Sequence, residues 1–138
     1  MKIEFVPIGF VKTEKINIPR HWTVSDAEGK IIVDEKYTEG LKDIEQGQQI
    51  IVIFHFHRSP DFNSGYLVQK PPHKDRAMGV FSTCSPVRPN PVGFSILEVI
   101  GIKTNIISVK GIDIVDGTPV LDIKPVVKKD EKDCKYHE

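Results

Sequence analysis

The sequence predicts an all-β protein, a single small domain of short strands closed as a barrel or stacked as a sandwich. Three observations carry this reading. Val, Ile and Phe gather in runs of strand length, as in Ile50-Ile51-Val52-Ile53-Phe54. Ten glycines and ten prolines punctuate the 138 residues, and most fall between those runs rather than inside them. Apolar residues at the 3.6-residue spacing of an amphipathic helix are almost absent.

Taken in order, Lys2 to Lys12 reads as a first strand bent at Pro7 and Gly9, and Lys30 to Tyr37 as a second. Between them, Asn17 to Gly29 is an irregular loop carrying Pro19, Arg20, His21 and Trp22. Tyr37 to Gln46 suits one short helix, with Thr38 as its cap. Gln48 to His57 is the clearest strand. Its alternation predicts Phe54 and Phe56 on one face, His55 and His57 on the other. Gly65 to Gln69 and Met78 to Thr83 are shorter strands separated by a surface loop from Pro71 to Arg76. Val92 to Ile102 and Asn105 to Val115 form a hairpin turning at Lys103-Thr104-Asn105, and Val120 to Val127 is the last strand. Residues 1–127 are thus expected to form one domain, with 128–138 a charged tail that frays.

Nineteen Lys and Arg balance nineteen Asp and Glu. No global field draws in nucleic acid, so any RNA contact must rest on a local patch or a partner. Cys84 and Cys134 are fifty residues apart, a spacing that matches neither a disulfide framework nor a zinc site. Glu4 interrupts any signal-peptide core, and the longest aliphatic or aromatic run, Ile50 to Phe54, is far below the roughly 20 residues of a membrane span. A cytoplasmic location is expected.

Two segments stand out chemically. The first is Met78 to Gly93, where Pro86, Pro89 and Pro91 stiffen a polar loop and hold Thr83, Ser85, Arg88 and Asn90 in a preset arrangement. Such a loop makes a good ligand wall, or simply a structural crossover. The second is Asp113 to Pro125. Asp113 falls among apolar neighbours at a predicted pleat position, so its carboxylate must be paired or face a cavity. Asp116-Gly117 is also an ordinary turn, and Asp122 with Lys124 an ordinary exposed ion pair. His55 and His57 lack an evident third metal ligand.

Together the stretches GVFSTCSPVRPNPVG and DGTPVLDIKPV resemble the TrmO-like family, whose members carry GVFATRSPxRPNPIG and DGTPVLDIKPY. Phe54-His55-Phe56-His57 and Pro19-Arg20-His21 resemble that family's aromatic-then-His strand and N-terminal loop, so the likeness runs through essentially the whole chain. It implies a compact antiparallel β-barrel with at most one or two short helices. It implies a homodimer that binds S-adenosylmethionine and methylates the exocyclic nitrogen of threonylcarbamoyladenosine beside the anticodon of tRNA. Carried over residue by residue, the cofactor site would draw on His21 and Trp22, His57 and Arg58, Arg76, Val87 and Arg88, and Asp113, Ile114, Val115 and Asp116. Asn90 and Lys124 would orient the substrate, and Asp116 and His57 are the candidates for catalytic base.

The chemistry of the cofactor suits these residue types. An aspartate accepts from ribose hydroxyls or an amino group. An arginine holds a carboxylate through two bonds, and tryptophan stacks on adenine or faces a sulfonium. The chain departs from the family at Cys84, where Arg is usual, at Val126, where Tyr is usual, and at Gln49-Ile50-Ile51, which lacks an aromatic. It also ends soon after the second motif, where longer bacterial relatives continue. The competing expectations are an S-adenosylmethionine-binding protein acting on another small substrate, and a non-catalytic binding or regulatory module.

Overall fold

The structure, a computed structural model, describes residues 1–14 and 17–129. Its strands in chain order are β1 Gly9–Lys12, β2 Glu28–Val33, β3 Gln49–His55, β4 Val68–Gln69, β5 Met78–Gly79, β6 Val92–Lys103, β7 Ile106–Lys110 and β8 Pro119–Pro125. Six of them close into a barrel in the order β1-β2-β7-β6-β3-β8, every pair antiparallel, while β4 and β5 form a separate two-stranded ribbon. Closure leaves no barrel strand as an open edge.

The period-two pattern explains the barrel. Val11, Ile31, Val33, Ile50, Val52, Leu97, Val99, Ile107, Val109 and Val120 point inward and are essentially inaccessible. Each such side chain contributes about 1.5–3 kcal/mol by leaving water, which fixes strand register, because a one-residue slip would turn the set outward. The β6–β7 hairpin turns at Thr104, whose φ is +57°. Asn105 ties that turn to β2, its Nδ2 donating to the Val33 carbonyl at 2.7 Å.

The pairing also decides where a site can form. His55 lies opposite Val92 and Glu28 opposite Lys110, so β3 and β7 end, and β6 and β2 begin, at one end of the barrel. The three connections 13–27, 56–91 and 111–118 all emerge there. The opposite end carries 34–48 and the tight turn at 104–105. All the motifs singled out in the sequence, apart from the end of β8, therefore belong to one set of loops.

Several elements differ from expectation. Only Gly9–Lys12 of the first predicted strand is paired as strand, because Pro7 brings no N–H to a ladder. The second strand runs Glu28–Val33 and stops at Asp34. Asp34, not Thr38, caps the next segment, its carboxylate accepting from the Lys36 N–H. That segment is a 3-10 helix over Glu35–Leu41, starting before and ending short of the expected Tyr37 to Gln46. No α-helix occurs among the described residues.

β3 ends at His55, and the His57 N–H turns back to the His55 carbonyl at 2.8 Å. The two histidines therefore do not share a strand face. The predicted strands 65–69 and 78–83 shrink to β4 and β5, flanked by 3-10 turns at Ser64–Tyr66 and Val80–Ser82. The predicted strand 105–115 stops at Lys110, because Gly111 takes φ +99° and redirects the chain. Within the predicted tail, Cys134 and residues 130–138 lie outside the described residues.

Candidate functional site

Beyond β7 the chain folds over the end of the barrel. The N–H groups of Gly111 and Ile112 both donate to the Ala27 carbonyl, at 2.8 and 3.0 Å. Ile112 and Ile114 then drop into the core, 0% and 2% exposed. Asp113 lies between them, half-buried, and accepts from the Ser95 hydroxyl at 2.6 Å. Ser95 is the polar exception on the inward face of β6, fully buried, and this bond accounts for it. Burial pushes the Asp113 carboxyl above its ordinary pKa, opposed by the Ser95 bond, the nearby His21 and backbone groups that include Trp22. Asp113 is thus paired as the sequence demanded, but from a turn rather than a strand.

The N-terminal loop packs on this turn. The Ser25 hydroxyl donates to the Ile112 carbonyl and joins the two segments. His21 caps the 3-10 turn Trp22–Val24, its Nδ1 accepting from the Thr23 N–H at 3.4 Å and lying 2.8 Å from the Thr23 hydroxyl. The His21 ring lies 5.0 Å from that of Trp22, which in turn lies 6.5 Å from that of Phe94. Trp22 Nε1 is buried with no hydrogen-bond partner among the described residues. A buried indole donor of this kind is a group to which a ligand can supply the missing acceptor.

The proline-rich stretch is held by its own polar side chains. Arg88 Nη1 donates to the carbonyls of Thr83 and Ser85, each at 3.1 Å. The Thr83 hydroxyl donates to the Val80 carbonyl at 2.8 Å, and the Ser85 hydroxyl accepts from the Val87 N–H at 3.2 Å. From outside, Gln69 Nε2 donates to the Val87 carbonyl at 2.8 Å, and the Ser59 hydroxyl to the Pro86 carbonyl at 3.0 Å. Gly93 allows this stretch to enter β6. A Cβ there would stand 2.6 Å from the Phe56 ring and 2.7 Å from the Phe54 ring.

A cavity of about 620 Å³ opens between three segments: Arg20–His21, Gln69–Lys74, and Ser82–Pro86 with Met78. That volume falls within the range of small-molecule sites. His21 belongs both to the cavity wall and to the Asp113–Trp22 cluster. Through it, the proline-stiffened stretch and the aspartate-bearing turn share one neighbourhood.

The remaining residues named from the sequence are more dispersed. Asp116 is exposed, and its Oδ1 accepts from the Thr13 N–H at 2.9 Å, pinning the turn to the end of β1. Val115 is 38% exposed beside it, whereas Ile114 is a core residue. His57 and Arg58 come after β3 at the same end of the barrel, both exposed. Partial burial, then the Arg58 charge, then His55 hold His57 below the ordinary imidazole pKa. Arg76 is exposed, two residues beyond the cavity-lining Lys74, and Asn90 is exposed before β6. Lys124 stands apart. It lies near the other end of β8, opposite Ile51, and pairs with Asp122 at 2.9 Å.

Arg20 and Gln69 to Lys74 were not among the site residues inferred from sequence. The doublet Pro71-Pro72 flanked by cations was the available signal. Among the described residues, no three His, Cys, Asp or Glu side chains gather to hold a metal, and no helix is long and apolar enough to cross a membrane.

A closed antiparallel barrel with a cavity of small-molecule size at its loop end, linked through His21 to a half-buried carboxylate and a buried unpaired indole, has the build of a small-molecule-binding β-barrel. Residues 10–132 match the model of the tRNA-methyltransferase O N-terminal domain, and the chain belongs to that family. It is similar to a protein of Pyrococcus abyssi named as a probable S-adenosyl-L-methionine-binding protein: 41% identical, over 92% of this chain and 70% of that one. It is similar to mouse tRNA (adenine(37)-N6)-methyltransferase at 31% identity, over 88% of this chain and 30% of the mouse protein. Among solved structures, it superposes on TrmO from Pseudomonas aeruginosa with a TM-score of 0.72 at 30% identity, covering 98% of this chain and 62% of that one.

Proposed function

We propose that this chain is an S-adenosylmethionine-dependent methyltransferase that N-methylates threonylcarbamoyladenosine next to the anticodon of tRNA, acting as a homodimer in the cytoplasm. One observation carries the reading. In a chain of this family, the Asp113–His21–Trp22 cluster adjoins, through His21, a cavity of about 620 Å³ walled by Ser82 to Pro86 of the proline-rich stretch.

The residues present fit the cofactor. Asp113 offers a half-buried carboxylate oxygen to a ribose hydroxyl or an ammonium group, and the unpartnered Trp22 Nε1 awaits an acceptor. The Trp22 ring face suits adenine or a sulfonium. Arg58 and Arg76 carry no ion pair among the described residues and suit a carboxylate, whereas Arg88 spends Nη1 on the loop and acts by holding its shape. The backbone of Ser82 to Pro86 forms a stiff wall.

When bound, the cofactor supplies a methyl group on a sulfonium, already activated for displacement. The protein must therefore align the acceptor nitrogen and remove its proton. His57 is the stronger candidate to accept that proton, because its lowered pKa leaves the ring unprotonated near neutral pH. Asp116 is already engaged with Thr13. Support for a dimer comes from the outer face of β3 and β6. There Ile51 lies opposite Ile96, Ile53 opposite Phe94, and His55 opposite Val92. Phe94 and Val92 are 54% and 38% exposed, an apolar strip that a twofold contact would cover.

The test is a transfer assay with purified chain, labelled S-adenosylmethionine and tRNA that carries unmethylated threonylcarbamoyladenosine, read by nucleoside mass spectrometry. One added methyl on that nucleoside is expected. Cofactor binding without transfer to any tRNA would leave a binding module in place of an enzyme.

A further inference from the structure

We propose that Arg20, Lys70 and Lys74 form a docking rim for RNA phosphates at the mouth of the cavity; this deepens the tRNA reading above and rests on it. The balanced composition hides a polarised molecule. The three connections at the cavity end together carry seven Lys and Arg against six Asp and Glu, five against two of them in 56–91, whereas 34–48, at the opposite end, carries two against five. The cavity wall repeats the asymmetry. Arg20, Lys70 and Lys74 line it together with two histidines, and no carboxylate does. A groove formed by Pro7 to Phe10, Ile32 to Glu35 and Asn105 carries Asp34 and Glu35 and no cation.

The three rim cations are exposed, and none takes part in an ion pair among the described residues. Their backbone is preset by Pro71-Pro72, with the Lys74 N–H donating to the Pro71 carbonyl at 3.0 Å. Exposed on one rim beside a proline-stiffened segment, they suit the phosphates of an RNA chain. A single exposed cation is worth little, but several act together through counterion release, and the cavity end then meets RNA with its positive side.

The experiment compares the wild-type chain with a rim variant, Arg20→Gln/Lys70→Gln/Lys74→Gln, and with a control, Lys36→Gln/Lys42→Gln/Lys103→Gln, that removes equal charge from the far end. tRNA affinity is measured across a salt series, and S-adenosylmethionine affinity by calorimetry, which also reports folding. The rim variant is expected to bind tRNA about tenfold or more weakly, with the slope of log K against log salt shallower by about 2 to 3, roughly 0.7–0.9 for each phosphate no longer neutralised. The control should match the wild type in both tRNA and cofactor affinity.

An unchanged tRNA slope in the rim variant, with the wild type binding tRNA, overturns the rim alone. Equal weakening in rim variant and control overturns it in favour of net charge. Loss of cofactor affinity in the rim variant reassigns the cations and overturns it too. A wild-type chain that binds cofactor but no tRNA at any salt overturns the rim together with the tRNA reading.

Discussion

Replacing Asp113 by Asn separates the cost of this carboxylate from its use. Asn keeps an oxygen for the Ser95 hydroxyl, now 2.6 Å from Oδ1, and removes only the charge. In the folded chain, burial raises the Asp113 pKa above the ordinary value of 3.8. A carboxyl raised on folding binds more protons in the folded than in the unfolded state, so its contribution to stability is full at low pH. That contribution is lost as pH climbs from the unfolded value through the raised one. Asp113→Asn removes this loss. The variant should be at least as stable as the parent near neutral pH, with a flatter dependence between acid and neutral conditions.

Cofactor binding should move the other way. A hydrogen bond to a charged group is worth about 1.5–3 kcal/mol, so affinity for S-adenosylmethionine should fall about 10- to 100-fold. Thermal unfolding across pH and calorimetry with the cofactor read the two effects. A variant that keeps full affinity, or whose stability drops near neutral pH, refutes the assignment of Asp113 as a cofactor ligand held at a cost to the fold.

Other perturbations probe the surrounding structure. Ser95→Ala strips the buried hydroxyl from Asp113 and should lower stability by about 1.5–3 kcal/mol, about 5–10 °C in Tm, measured by calorimetric melting. Gly93→Ala drives a Cβ to 2.6 Å from the Phe56 ring and should cost about 1–3 kcal/mol by denaturant titration. Arg88→Gln releases the Thr83 and Ser85 carbonyls, so limited proteolysis should cut within 83–88 sooner while the barrel melts little changed. His57→Gln should reduce the transfer rate with cofactor affinity retained. Because the His57 pKa is lowered, the wild-type rate should hold at neutral pH and fall only on the acid side of the ordinary imidazole value of 6.5.

The barrel was legible because alternation is a local signal: Ile50, Val52 and Phe54 point inward in β3 just as their spacing demands. Errors fell where one residue redirects the backbone. Asn105 to Val115 reads as one strand, yet Gly111 breaks it, sends Ile112 and Ile114 into the core and leaves Asp113 at the barrel end. Thr38 looked like a helix cap, but Asp34 stood where β2 ends and took the role. The motif-bearing loops and the cavity fall at the same end of the barrel. The cavity's third wall, Gln69 to Lys74, arises from a tertiary arrangement, the β4–β5 ribbon set against the proline-rich stretch, that no local pattern encodes. Lys124 stands apart from that end. It adjoins a site motif in sequence, but a strand of seven residues carries it toward the other end of the barrel.

The most direct test is a crystal structure of the chain grown with S-adenosylmethionine. Density for the cofactor is expected between His21–Trp22, the Ser82–Pro86 wall and the 111–116 turn, with an oxygen of Asp113 within hydrogen-bond distance of it. A fully occupied cofactor bound elsewhere, with Asp113 still turned only to Ser95 and the cavity filled by solvent, would contradict this assignment.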